Sequence, residues 1–243
     1  RTNSDCAPPK RILCIKTGRH ALFCITVVHK QGGCDAKEID SRIRYQEPFT
    51  EMREKTIPYS IASEESEEDN TFLSYNKVIG TSLDRELYLA FEILDYALLS
   101  APGAPLKKAL TDAGIGKDIM GDFDNGIYQP IFSVIAKNAN EDQKQAFVDL
   151  IEQVLTELAD KGIDKKALEA GLNYHEFRYR EADFGNYPKG LMYNLQMMES
   201  WLYDEEEPFL HVEALDTFEF LKKQVGTGYY EGLIRKYILD NPH

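Results

Sequence analysis

Two β-rich runs, residues 119–124 and 127–136, meet at Asn125-Gly126. That pair accepts the positive φ angles of a type I′ turn, so the runs are expected to form a tight hairpin. A two-stranded ribbon is marginal in water and needs a further strand, or a layer of helix, over its apolar face. Residues 71–80 offer the strand: Phe72, Leu73, Tyr75, Val78 and Ile79 suggest one buried on most of its surface.

The helical layer is written in apolar positions that recur at helical spacing. Leu83, Leu87, Phe91, Leu94 and Leu98 form one stripe, widened by Ile93 and Ala97. It must stop at Ala101-Pro102-Gly103, because a proline disfavours helical geometry in the residue before it. Pro105 suits the first turn of a short helix over 106–113, closed by Gly114 and Gly116. Asn140 and Gln143 have the spacing of a capping box, ahead of Phe147, Leu150, Ile151, Val154, Leu155 and Leu158, with a stop at Gly162. Asp164 caps a helix to about residue 183, ended by Gly185-Asn186. Further helices are expected over 188–203, 217–224 and 228–239. Strand, two helices, hairpin, then a run of helices is the order of an α/β domain whose mixed or antiparallel sheet carries helices packed on it. Regular βαβ alternation, which a doubly wound nucleotide fold needs, is missing.

Composition divides the chain near residue 36. All four cysteines (Cys6, Cys14, Cys24, Cys34) lie in the first 34 residues. Residues 1–36 carry +4, so the overall -13 leaves -17 for the rest. The domains expected are therefore a cysteine-rich basic head, 1–36, and an acidic body, 37–243. In the head, β-rich runs around Thr17-Gly18 suggest a hairpin. The acidic body offers no cationic face to displace counterions from phosphates, which excludes nucleic acid, and it does not suit an anionic membrane surface. No apolar run approaches the roughly 18 residues of a spanning helix. A cysteine-free body suits a reducing cytoplasm. The chain opens on Arg1, as a piece of a longer polypeptide would.

The chemistry that such a domain could carry is mostly missing. A zinc hydrolase usually sets two histidines and a glutamate on one helix, and neither H-E-x-x-H nor H-x-x-E-H occurs. His175-Glu176 has no second histidine three or four residues away, and His175 closes the packing stripe Leu168–Leu172–His175–Tyr179. His211 and His243 have no partners in sequence. Head residues Cys14, His20, Cys24, His29 and Cys34 are spaced five, three, four and four residues apart in the intervening gaps, unlike paired zinc knuckles. Residues 122–126 resemble a calcium loop in outline, but the glycine is one place early and Ser133 stands where a bidentate glutamate belongs. No G-x-S-x-G elbow, P-loop or G-x-G-x-x-G is present. The run 64–69 (EESEED) and the run 204–207 read as solvated turns. Glu176 and Arg180 stand at i, i+4, ordinarily a surface pair worth a few tenths of a kcal/mol, which burial would turn into an interior clamp. No catalytic, metal or cofactor residue is assigned in this chain.

One stretch has a familiar order: Glu176-Phe177-Arg178-Tyr179-Arg180-Glu181, then Gly185-Asn186-Tyr187-Pro188-Lys189-Gly190-Leu191. It resembles E-F-x-x-R-E followed by G-x-x-P-(K/R)-G-L of the insulinase-like (pitrilysin-type) zinc metallopeptidases, presequence-peptidase branch. Ala104-Pro105-Leu106, Gln129-Pro130-Ile131-Phe132-Ser133 and the ending Leu239-Asp240-Asn241-Pro242-His243 are similar to that branch too. The likeness spans residues 37–243 and points to the second domain of the first half of a two-half clamshell.

The resemblance implies an α/β (α+β) roll that forms part of a chamber wall in a zinc-dependent metalloendopeptidase. It implies zinc for the full-length parent but none here, since no position matches the family's zinc ligands. The implied partners are the other domains of the same polypeptide and peptide substrates. Glu176, Phe177, Arg180, Glu181, Gly185, Pro188, Lys189 and Gly190 are expected to shape the fold rather than to react. A second reading is a non-enzymatic scaffold or peptide-binding module on the same fold. The head does not resemble the family, and is expected to be a shifted reading frame or a joined segment.

Overall fold

The computed structural model describes residues 42–243 and the backbone of two strands, β1 (Arg11–Thr17) and β2 (Ala21–Val27). The chain divides into two compact units, 1–42 and 43–243. In the first, β1 and β2 pair antiparallel with Cys14 opposite Cys24, the pairing expected around Thr17-Gly18. His20, His29 and Cys34, the rest of the candidate head ligands, lie outside the described residues.

The second unit is built on a three-stranded antiparallel sheet, β3 (Thr71–Val78), β4 (Asp118–Asp124) and β5 (Ile131–Ala139), in the order β3-β5-β4. The turn between β4 and β5 differs from the expected two-residue hairpin. Asp124 pairs with Ile131, so residues 125–130 form a longer loop, and Gly126 lies outside the positive-φ region. Pro130 has no N–H for the ladder. The loop carbonyls bond elsewhere: Pro130 O accepts from Ile79 N at 2.7 Å and Tyr128 O from Ser82 N at 2.9 Å. Strand β3 also differs from expectation. Leu73 and Tyr75 are buried while Phe72 is 52% exposed, because helices cover only one face of the sheet. The chain's end closes part of the β3 edge: Val78 N donates to His243 O at 3.1 Å, and Asn241 Nδ2 to Val78 O at 2.9 Å.

Helix α1 (Arg85–Asp95) starts where Asp84 accepts from Leu87 N, and runs into a π-helical turn, Tyr96–Ser100. Phe91, Leu94, Ala97 and Leu98 of this stripe are fully buried against the sheet. Helix α2 (Pro105–Asp112) buries Leu106 and Leu110. The capping box at Asn140 and Gln143 is present; it opens a 3₁₀ turn, Glu141–Gln143, and then α3 (Lys144–Lys161), which ends at Gly162 with φ 96°. Helix α4 (Lys165–Glu181), capped by Asp164, stops at Ala182 in the left-handed region, three residues ahead of Gly185. Helices α5 (Lys189–Trp201), α6 (Leu215–Lys223) and α7 (Tyr229–Ile234) follow, the last continuing as a π-helical turn, Arg235–Leu239. The core is one cluster, formed by the covered sheet face with α1, α2, α3, α4, α6 and α7. Helix α5 contributes no residue to it.

Candidate functional site

The eight motif positions fall on the end of α4, the turn after it and the start of α5. Glu176 is buried on α4. Its Oε1 accepts from Arg180 Nε at 2.8 Å, and its Oε2 lies 2.7 Å from Lys222 Nζ of α6. Burial pushes this carboxyl up, but the hydrogen bonds from Lys222 and Arg180 outweigh it and hold the group below its usual range. The buried carboxylate thus holds two cations at the edge of the core, exposed Arg180 of its own helix and Lys222 of α6, and the second ties α4 to α6. Phe177, one residue on, is 63% exposed. Glu181 is exposed, and its carbonyl accepts from Lys189 Nζ at 3.0 Å across the turn. Gly185 takes φ +59°, where a side chain would be strained, and Pro188 leads into α5. Gly190 O accepts from Asn194 Nδ2 at 2.6 Å. No two of these eight side chains besides Glu176 and Arg180 share an ion pair.

Helix α5 presents the more informative surface. Leu191, Leu195, Met198 and Leu202 recur at i, i+4, i+7 and i+11, and all four are exposed. Only Ser200 of this helix is buried. This apolar stripe therefore faces outward, while Met192, Tyr193, Met197 and Trp201 of the same helix are half-buried. Tyr187 and Phe177 stand exposed beside it in sequence, on the turn and on α4.

Beneath α5 the structure gathers titratable groups that sequence spacing kept apart. A cavity of about 140 Å³ is lined by residues of α1, α4, α5, α6 and the connecting segments, among them Tyr88, Glu92, His175, Arg178 and His211. Glu92 Oε2 lies 3.6 Å from His175 Nδ1, and Glu92 Oε1 accepts from Asn125 Nδ2 at 3.0 Å. Tyr88 donates to Glu199 Oε2 of α5 at 2.7 Å and stacks on His211 with ring centroids 4.1 Å apart. Both ring nitrogens of His211 are buried and make no hydrogen bond of ordinary geometry, although the Ser82 backbone stands close enough to oppose the effect of burial.

Burial shifts Tyr88, Glu92, Glu199, His175 and His211 toward their neutral forms. It pushes Glu92 up to about 7, with the Asn125 hydrogen bond opposing and the Glu199 charge adding. It also raises Glu199. Burial, with the Arg178 charge, pulls His175 down to about 4, and burial pulls His211 down to about 4. Nearby, burial and the Asp122 charge push Asp95 up to about 6. His175 packs, as its stripe suggested, but its partner Glu92 lies on another helix where no local pattern could reveal it. A wider groove of about 930 Å³ lies between the end of α3 and residues 226–235; its charges pair across it, as in Arg235 with Asp160 at 2.5 Å.

The described residues do not fit a zinc ion. Among the described residues, no three His, Cys, Asp or Glu side chains come together as a coordination sphere requires. His175 and Glu92 are a pair that nothing completes. Among the described residues no helix is long and apolar enough to cross a membrane.

Comparison with known proteins agrees with this arrangement. A family model described as the peptidase M16 inactive domain matches residues 31–174. Protein HypA of Clostridium perfringens is 44% identical over 207 residues, 85% of this chain and 21% of that protein. Presequence protease 1, chloroplastic/mitochondrial, of Arabidopsis thaliana is 31% identical over 208 residues, 84% of this chain and 19% of that protein. The chain thus spans about a fifth of the length of these relatives. In fold it is similar to the inactive peptidase domain of a Bordetella parapertussis protein, with a TM-score of 0.50 at 10% identity, covering 68% of this chain and 82% of that one. The chain belongs to the peptidase M16 inactive domain family.

Proposed function

We propose that this domain forms part of the wall of a peptide-degrading chamber, completed by other domains of the same polypeptide, and takes no chemical step itself. The observation that carries the reading is the outward apolar stripe of α5. A helix that turns Leu191, Leu195, Met198 and Leu202 to solvent has its partner outside this domain. In a chamber wall such a stripe meets either a neighbouring domain or the apolar side chains of a peptide. The whole polypeptide is then a zinc metalloendopeptidase whose metal is held by residues outside this chain, and its compartment is the cytoplasm. Glu176, Arg180, Glu181, Gly185, Pro188, Lys189 and Gly190 set the angle at which α5 leaves the body, and Phe177 extends the apolar face. Residues 1–36 are a segment joined to the domain or read in a shifted frame, which the gene's sequence upstream of residue 37 tests directly.

The experiment is made on the parent polypeptide with Leu195→Glu and Met198→Glu together. Peptide hydrolysis is expected to fall at least tenfold, a loss of about 1.4 kcal/mol in transition-state stabilisation, while bound zinc remains stoichiometric. Unchanged hydrolysis would remove the stripe from the chamber.

A further inference from the structure

Asn125-Gly126 is the one Asn-Gly pair in the chain. It does not serve the sheet, because the β4–β5 ladder ends where Asp124 pairs with Ile131. What the pair offers is a reaction. The backbone nitrogen of the residue after an asparagine can attack the side-chain amide carbon, and a glycine in that place has no Cβ to obstruct the approach. Here the nucleophile is unencumbered. Gly126 is exposed, and a Cβ on it would find only Asp124 Oδ1 within 4 Å, at 3.9 Å. Its N–H makes no hydrogen bond among the described residues. The leaving group, by contrast, is held by an acid. Asn125 is half-buried, and its Nδ2 donates to Oε1 of Glu92 at 3.0 Å. Glu92 stands 33 residues earlier in the chain and is brought there by the packing of α1 on β4.

We propose that Asn125 deamidates spontaneously through a succinimide, with the Glu92 carboxyl as the acid that protonates the departing nitrogen. The Gly126 nitrogen forms a bond to Asn125 Cγ and gives up its proton to solvent. The tetrahedral carbon then expels Nδ2, which takes a proton from Glu92 and leaves as ammonia, and the succinimide ring remains. Water opens the ring at either carbonyl, giving aspartate or isoaspartate at position 125, and Glu92 recovers its proton from solvent. One water is consumed, one ammonia is released, and nothing is oxidised or reduced. Burial suits Glu92 to this part, since it holds the carboxyl up to about 7 and so keeps a proton available near neutral pH. In either product a carboxylate stands where Glu92 had a donor, and the two acids repel. The isoaspartate form also lengthens the backbone ahead of Tyr128 and Pro130, whose carbonyls hold Ser82 N and Ile79 N. Deamidation therefore loosens the β4–β5 loop from α1 and from the segment after β3.

This modification changes the chain itself rather than a substrate, and its absence would leave the chamber wall standing. The purified chain is kept at neutral pH and body temperature for several weeks and then mapped with trypsin. The peptide 118–137 contains Asn125 and no other asparagine. It is expected to gain about 1 Da and to separate into aspartate and isoaspartate forms. Gly126→Ala, which the open space at this position admits, hinders ring closure and is expected to abolish the gain over the same period. Glu92→Gln keeps an acceptor for Nδ2 but removes the acidic proton, and is expected to slow the gain about tenfold. Circular dichroism confirms that each variant is folded. Asn125→Asp, which reproduces one product, is expected to melt at a lower temperature than the fresh chain, and an equal melting temperature would overturn the loosening. An unchanged mass in the aged, unaltered chain overturns the proposal. Conversion of Glu92→Gln at the unaltered rate, or faster, overturns the part given to Glu92.

Discussion

Glu176 shows how a residue marked by local spacing takes its full role from a partner distant in sequence. With Arg180 alone it would be a surface pair of small value. Burial, and the arrival of Lys222 from α6, make it a three-way clamp. The two ways of breaking the clamp should differ. Glu176→Gln leaves two cations that reach solvent, and is expected to lower unfolding free energy by about 1 kcal/mol. Arg180→Met with Lys222→Met leaves the buried carboxylate without either cation, at the solvent-facing edge of the core, and is expected to cost about 2–3 kcal/mol. Urea unfolding of the variants separates them; equal losses would mean that the clamp is not buried in solution. Because the Glu176 carboxyl stands below its usual range, its contribution is full above the unfolded value and fades as pH falls through the folded one. Gly121 is a second such position. A Cβ there would lie 2.5 Å from Asp95 Oδ1 and 2.7 Å from Leu99 Cβ, where β4 crosses the π-helical turn. Gly121→Ala is expected to destabilise by about 1–3 kcal/mol in the same assay, and a neutral result would show that the turn gives way.

At the scale of elements, long helices were legible because their stripes repeat: Leu87, Phe91, Leu94 and Leu98 are buried as their spacing requires. The capping box at Asn140 was legible for the same local reason. What the sequence could not show was longer in range. Asn125-Gly126 suggested a tight turn, but Asn125 bonds Glu92 and the loop carbonyls bond the segment after β3, so tertiary contacts set the loop length. The cluster under α5 was hidden because Glu92, His175, Glu199 and His211 are far apart in the chain. Its pH dependence follows from the signs of the shifts. Glu92 and Asp95 are raised, so their contribution is full at acid pH and is lost as pH rises toward about 7 and about 6 respectively. His175 and His211 are lowered, so theirs is present above the unfolded histidine value of 6.5 and is lost as pH falls toward about 4. Thermal melts of Glu92→Gln with Asp95→Asn should therefore lose the stability decline that these two carboxyls give between their ordinary values of 4.5 and 3.8 and about 7 and about 6, and keep the loss that the histidines give as pH falls from 6.5 toward about 4. Identical profiles would contradict these assignments.

For the whole molecule, an acidic body with one continuous core and one apolar stripe left outside it is the anatomy of a part. The eight motif residues could be read from the sequence as a set, and the structure places them at the α4–α5 junction, where we propose that they set the direction of α5. The account's central claim is that this chain builds a wall and does no cleaving. The most direct measurement is hydrolysis of a mixed peptide library by the purified chain, with zinc supplied and then with a chelator. The account predicts turnover at the level of buffer in both conditions. Cleavage that zinc supports and the chelator abolishes would contradict it.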